Sequence, residues 1–239
     1  SRNKIVFSGV GKTEEEIEEA IKKNILLINS ESLSEVLKIE EIAKKENKLV
    51  NIGLRLNPDT DAKTLKQIST GKSENKFGVD EKTFIKIVNL MKKSKFIRIK
   101  CLSVHIGSQI LNHKPYEKML GVLDKLLKRL KYKFDIIDLG GGMGISYEKN
   151  NRKLNYNEYK KSIIKFRRKH NCKIIFEPGR SIIGNVGIIV TKVIYLKHNK
   201  SKNFVILDAA MNDLIRPALY NAKHRICLLY TSDAADEHS

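Results

Sequence analysis

Six short apolar runs alternate with amphipathic stretches along most of this chain, and no other feature limits its fold as strongly. The runs are "KIVFSG" (4–9), "ILLIN" (25–29), "LVNIGLRLN" (49–57), "IKCLSVHIG" (99–107), "FDIIDLGG" (134–141) and "CKIIFEPG" (172–179). They are mostly apolar rather than strictly alternating, the pattern of parallel strands covered on both faces. The stretches between them predict helices. "TEEEIEEAIKKN" has the capping-box spacing Thr13 to Glu16, with acids in its first turn and lysines in its last, and Ser32 and Glu35 repeat the device. Asp80 opens a third helix, and the fourth sets Met119, Leu123, Leu126 and Leu130 on one stripe facing a core. "NYNEYKKSIIKFRRKHN" closes the series. Strands and helices in alternation imply an α/β fold with a parallel sheet, and both a doubly wound sheet and a barrel satisfy that pattern.

After residue 184 the rhythm changes. "GIIVTKVIYLK" (187–197) and "NFVILDA" (203–209) are β-rich and separated by the turn-like "HNKSKN", so a second, β-type module is expected to begin there. The small, acidic "CLLYTSDAADEHS" (227–239) fits neither module and reads as a non-native tail.

No apolar run approaches the roughly 20 residues needed to cross a bilayer, and the start of the chain lacks a signal-peptide layout, so a cytoplasmic protein is expected. Cys101, Cys172 and Cys227 are widely spaced and outside any metal-binding pattern, which indicates free thiols and neither a disulfide framework nor a metal site. The formal net charge of +19 is the compositional outlier. Its lysines are spread over helix faces without an aromatic platform, which favours a solvated surface over a specific nucleic-acid site.

Four polar clusters follow apolar segments: "HIGSQ" (105–109), "GGGMG" (140–144), "EPGR" (177–180) and "NDLIRPALY" (212–220). In parallel α/β barrels ligands bind at the C-terminal ends of the strands, where such loops converge. Gly140, Gly141 and Gly142 allow close backbone approach to an anion, although a tight turn with close packing also explains them. The run is not a dinucleotide-binding fingerprint, because Ile145 stands where its last glycine belongs. His105 reads either as a core histidine or as a ring facing a ligand. Glu177 and Arg180 read as an ion pair or, across the rigid Pro178–Gly179 bend, as two side chains aimed into a cavity.

Taken together, "KIVFSGVGKTEEEIEEAI", "NKFGV", "SVHIGSQI", "LGGGMGI", "EPGR" and "MNDLIRPALYNA" resemble the alanine-racemase-like, pyridoxal-phosphate-dependent decarboxylases, in order from about residue 4 to 224. The resemblance implies a partial (β/α)8 TIM barrel of about six of eight units over residues 1–184. The beginning of a C-terminal β domain follows over 185–226, and the first two barrel units would precede Ser1. It implies pyridoxal 5'-phosphate as cofactor, with Glu177 at the ring nitrogen and His105 stacked on the ring. Ser108, Gly140, Gly141, Gly142, Pro178, Gly179 and Arg180 would surround the phosphate. Arg180, Arg216 and Tyr220 would hold the carboxylates of a diamino dicarboxylic acid, for which the arginine fork is suited.

The implied activity is decarboxylation of meso-2,6-diaminopimelate to L-lysine and CO2 by a homodimer, with ornithine, arginine or carboxynorspermidine as alternative substrates. Two motifs of the family find no match: the "YAxKAN"-like segment with the cofactor-anchoring lysine, and the "CES"-like segment with the proton-donating cysteine. The chain by itself is therefore expected to be inactive. An alternative of another class is a noncatalytic basic protein that binds anions or nucleic acid.

Overall fold

A computed structural model describes residues 1–59, 76–147 and 153–229, in two compact units. The first comprises 1–144 and 154–184, the second 145–153 and 185–239. The part of the predicted tail at 230–239 lies outside the described residues.

The first unit alternates strand and helix throughout: β1 (Val6–Phe7), α1 (Glu14–Lys22), β2 (Leu27–Ser30), α2 (Leu33–Lys45), β3 (Val50–Leu56), α3 (Glu81–Met91), β4 (Ile97–Val104), α4 (Lys114–Leu130), β5 (Ile136–Asp138), α5 (Tyr156–His170), β6 (Lys173–Ile175) and α6 (Arg180–Ile183). Every strand pairs in parallel with the next in sequence, giving the order β1-β2-β3-β4-β5-β6. That order decides between the two architectures. A doubly wound sheet reverses direction partway, whereas a barrel adds each strand on the same side as the last.

The sheet is also strongly curled. Five steps of about 4.8 Å would place the edge strands of a flat sheet about 24 Å apart, yet Ser8, just past β1, hydrogen-bonds Glu177, just past β6, at 3.1 Å. Asn29 of β2 reaches Asp138 of β5 across the interior, also at 3.1 Å. The unit is a partial TIM barrel.

The helices form for local reasons and then bury one face. Thr13 and Glu16 make the full reciprocal capping box at α1. At α2 only half of it forms: Ser32 accepts the Glu35 backbone N–H, while the Glu35 carboxylate turns to the backbone N–H of Glu31 and the ammonium of Lys12. Asn24, Asn47 and Asn171 lie just beyond α1, α2 and α5 in the left-handed conformation that asparagine tolerates. Met119, Leu123, Leu126 and Leu130 of α4 are all buried between helix and sheet, and each such side chain contributes roughly 1.5–3 kcal/mol. Cys101 and Cys172 are buried free thiols and Cys227 an exposed one.

In the second unit β7 (Val193–His198) and β8 (Asn203–Leu207) form an antiparallel pair, followed by α7 (Arg216–Tyr220). The strand expected at 187–197 begins later, at Val193, which pairs with Leu207 of β8.

Candidate active site

Side chains along a strand point alternately to opposite faces, and in the first unit the inward residues follow one rule. Low in the interior lie Val6, Leu27, Cys101, Ile136 and Ile175, a small apolar cluster separate from the main core. Two residues further along the same strands, or just past their ends, come Ser8, Asn29, Ser103, Asp138 and Glu177. The step from Gly53 to Arg55 on β3 continues the pattern. The interior thus changes from apolar to polar over one side-chain layer, on the side of the strand C-termini. A cavity of about 150 Å³ opens there, lined by Ser8, Asn29, Glu31, Arg55, Ser103, His105 and Glu177.

The loops expected from the sequence meet at this end. The Gly141 backbone N–H donates to His105 Nδ1 at 3.1 Å, and the Glu177 N–H to the Gly140 carbonyl at 2.8 Å. The glycines are required by this crowding: a Cβ on Gly141 would lie 2.1 Å from the Glu177 carbonyl oxygen, and one on Gly142 2.2 Å from that of Gly107. Gly142 also has φ +91°, a conformation L side chains rarely adopt. From behind, the buried Tyr116 of α4 donates its hydroxyl to the Gly141 carbonyl at 3.1 Å and packs on Tyr159 of α5, ring centroids 4.5 Å apart.

Burial pushes His105 down to about 4, with the Arg55 charge adding to the effect, so its imidazole is neutral at physiological pH. Its Nδ1 is an acceptor, which leaves the proton on Nε2. Arg55 is held by Glu31 at 2.9 Å and lies over the Phe77 ring. Burial, and then the Glu177 charge, push Asp138 up to about 6.

Ser108 is half-buried in the turn after His105, and Pro178 lies against Gly141. Gly179 caps α6, and Arg180, its first residue, donates to Gln109 Oε1 at 3.1 Å. The structure therefore gathers His105, Ser108, Gly140, Gly141, Gly142, Glu177, Pro178, Gly179 and Arg180 at one end of the barrel. Arg216 and Tyr220 lie on α7 of the second unit, where Arg216 donates to the Tyr147 hydroxyl at 3.1 Å with its guanidinium over that ring.

Ser8, Asn29, Glu31, Arg55, Ser103 and Asp138 escaped the sequence reading. For Ser8, Asn29, Ser103 and Asp138 the signal is an apolar-x-polar step at the end of a strand, seen in "VFS", "LIN", "CLS" and "IID" as in the "IFE" of Glu177, where the same face of the strand passes from core to cavity.

A carboxylate and a neutral aromatic ring at one cavity suit a protonated heteroaromatic ligand, the carboxylate binding its N–H and the ring stacking on its face. Such a site lies at the C-terminal end of a (β/α) barrel, the face at which barrel enzymes bind their ligands. The chain belongs to the pyridoxal-dependent decarboxylase family, matching its pyridoxal-binding domain over residues 1–184.

Diaminopimelate decarboxylase of Campylobacter jejuni is 43% identical over 230 residues, 95% of this chain and 57% of that protein. The enzyme of Aquifex aeolicus is 42% identical, over 96% of this chain and 56% of its own. The crystal structure of diaminopimelate decarboxylase from Helicobacter pylori complexed with L-lysine superposes with a TM-score of 0.90 at 42% identity, covering 97% of this chain and 59% of that one. The chain thus spans a little over half the length of these relatives.

Proposed function

We propose that this chain forms the cofactor-binding part of a pyridoxal-phosphate-dependent decarboxylase that converts meso-2,6-diaminopimelate to L-lysine and CO2. The observation that carries the reading is Glu177 and neutral His105 lining one cavity beside the glycine turn, in a chain more than 40% identical to diaminopimelate decarboxylases. Residues 1–184 are assigned to the pyridoxal-binding barrel and 185–226 to the beginning of a C-terminal β domain.

The residues present fit the cofactor. Glu177 Oε1 accepts from Ser8, while Oε2 has no partner among the described residues and can take a ring N–H. His105 offers a flat uncharged face, and the turns at 140–142 and 178–180 supply closely packed backbone for a phosphate. Bound there, pyridoxal phosphate supplies an electron sink for the pair left behind as CO2 departs. Glu177 keeps a proton on the ring nitrogen, strengthening that sink. His105 would stack on the ring, and its neutrality would spare the site a second positive charge. Arg180, Arg216 and Tyr220 are assigned to the substrate's carboxylates, two arginines and a tyrosine suiting an acid charged at both ends. The protein is proposed to act in the cytoplasm as a homodimer. No helix among the described residues is long and apolar enough to cross a membrane.

The test is CO2 release by the product of the complete gene, supplied with pyridoxal phosphate, from meso-diaminopimelate and from ornithine. Strong preference for diaminopimelate, lost in Glu177→Gln, supports the reading, and preference for ornithine overturns it. The 239 residues alone are expected to release CO2 at a negligible rate, since none of them matches the family's anchoring lysine.

A further inference from the structure

We propose that Ser8 and Asn29, anchored on the buried carboxylate of Asp138, form a one-directional hydrogen-bond chain that aims Glu177 at the cofactor ring nitrogen. The inference rests on the cofactor reading above and adds positioning residues that act through Glu177.

The direction of the chain follows from donor chemistry. One terminal atom of the Asn29 amide lies 3.1 Å from Asp138 Oδ2 and 3.1 Å from Ser8 Oγ. A carboxylate only accepts, so that atom is Nδ2, and its two hydrogens go to Asp138 and to Ser8. Ser8 receives a hydrogen bond on its oxygen and has one hydrogen of its own, which goes to Glu177 Oε1 at 3.1 Å. One Glu177 oxygen is thereby fixed, and the other is turned to a ligand.

Asp138 is fully buried on β5 and accepts from three groups. Its Oδ1 takes the Gly140 N–H at 2.9 Å, and its Oδ2 takes Asn29 and, at 3.4 Å, the Ser103 hydroxyl. The same carboxylate therefore holds both the start of the glycine turn and the tail of the chain leading to Glu177. Two costs are accepted for this orientation. Asn29 Oδ1 is buried without a hydrogen-bond partner, a penalty of about 1–3 kcal/mol. Residue 53 has to be glycine, since a Cβ there would lie 1.9 Å from that oxygen. The β3–β4 register shifts at this same position.

Lys12 secures the near end. Its side chain is almost wholly buried, and its ammonium donates to the carbonyls of Gly9 and Asn29 and to Glu35. It thus fastens the residue after Ser8 to the backbone of Asn29, holding both members of the central hydrogen bond in place.

The test uses the product of the complete gene and two noncovalent probes, pyridoxamine 5'-phosphate and its 1-deaza analogue, in which the ring nitrogen is a C–H. Binding is measured by titration calorimetry, so no turnover is needed. Ser8→Ala, at an exposed position, and Asn29→Leu are each expected to weaken pyridoxamine phosphate about tenfold, the scale of one hydrogen bond to a charged group. The deaza analogue should change less than about twofold, and Ser8→Thr should restore binding. Equal losses for both probes, or no loss in Ser8→Ala, overturn the positioning chain while leaving the cofactor reading intact. Failure of the unsubstituted protein to bind either probe overturns both.

Discussion

His105 Nδ1 accepts the backbone N–H of Gly141 at 3.1 Å, tying the ring that follows β4 to the glycine turn that follows β5. A protonated imidazole has no acceptor to offer, so the contact exists only with neutral histidine.

His105 and Asp138 therefore impose opposite pH dependences over nearly the same range. His105 is pushed down to about 4. Between that value and its unfolded range near 6.5 the unfolded chain binds more protons, so this contribution is complete above about pH 6.5 and is lost as pH falls toward 4. Asp138 is pushed up to about 6. Between the ordinary carboxylate range and 6 the folded state binds more protons, so its burden is absent below about pH 4 and complete above 6. Each amounts to about 3 kcal/mol at most, and they offset one another in the intact chain. Denaturant midpoints should rise from pH 4 to 6.5 in Asp138→Asn and fall from pH 4 to 6 in His105→Gln. Parallel profiles for the two variants would contradict the assignment.

Gly141→Ala is expected to disrupt the site more than the fold. The new methyl would overlap the Glu177 carbonyl oxygen, forcing apart two loops that both border the cavity, while the strands beneath keep their register. A fall of several degrees in melting temperature together with loss of pyridoxamine phosphate binding is the expected pair of results, the first by differential scanning fluorimetry.

Tyr116→Phe removes only the hydroxyl that supports the Gly141 carbonyl. A loss of about 1 kcal/mol in unfolding free energy is expected, with the ring packing on Tyr159 retained. Near-ultraviolet circular dichroism should be little changed.

Lys12→Met keeps the stem's volume but leaves Glu35 and two backbone carbonyls without their shared donor. Breaking a buried pair from one side costs about 3–5 kcal/mol. Chemical denaturation should report a loss on that scale. The exposed pair Lys23–Glu19, broken in the same way, should cost under about 1 kcal/mol.

The elements were legible in the sequence because their signals are local. Thr13 with Glu16, Ser32, Asp80 and the asparagines after the helices all act within a turn, and the apolar runs carry their own period. The choice between barrel and doubly wound sheet was not open to the apolar pattern, only to the family resemblance of the motifs, since strand order depends on how each crossover is laid down. His105, the glycine turn and "EPGR" could be read because each cluster is contiguous. Asn29 and Asp138 could not, because their partnership spans 109 residues and exists only once the sheet has curled. Asp135 and Asp138 look alike in "FDIID", yet the first pairs with exposed Arg98 and the second faces the interior. Strand parity, not residue type, separates them.

The two-residue strand β1 has a consequence for how this site comes apart. Its ladder pairs only Val6 and Phe7 with β2, so it is the least secured rung of the sheet and the first expected to exchange its amide hydrogens. Ser8 leaves with it, and Glu177 then loses the hydroxyl that fixes its orientation. Fraying of one edge and disarming of the carboxylate are thus a single event, and a ligand that grips Glu177 would slow hydrogen exchange at the opposite border of the sheet.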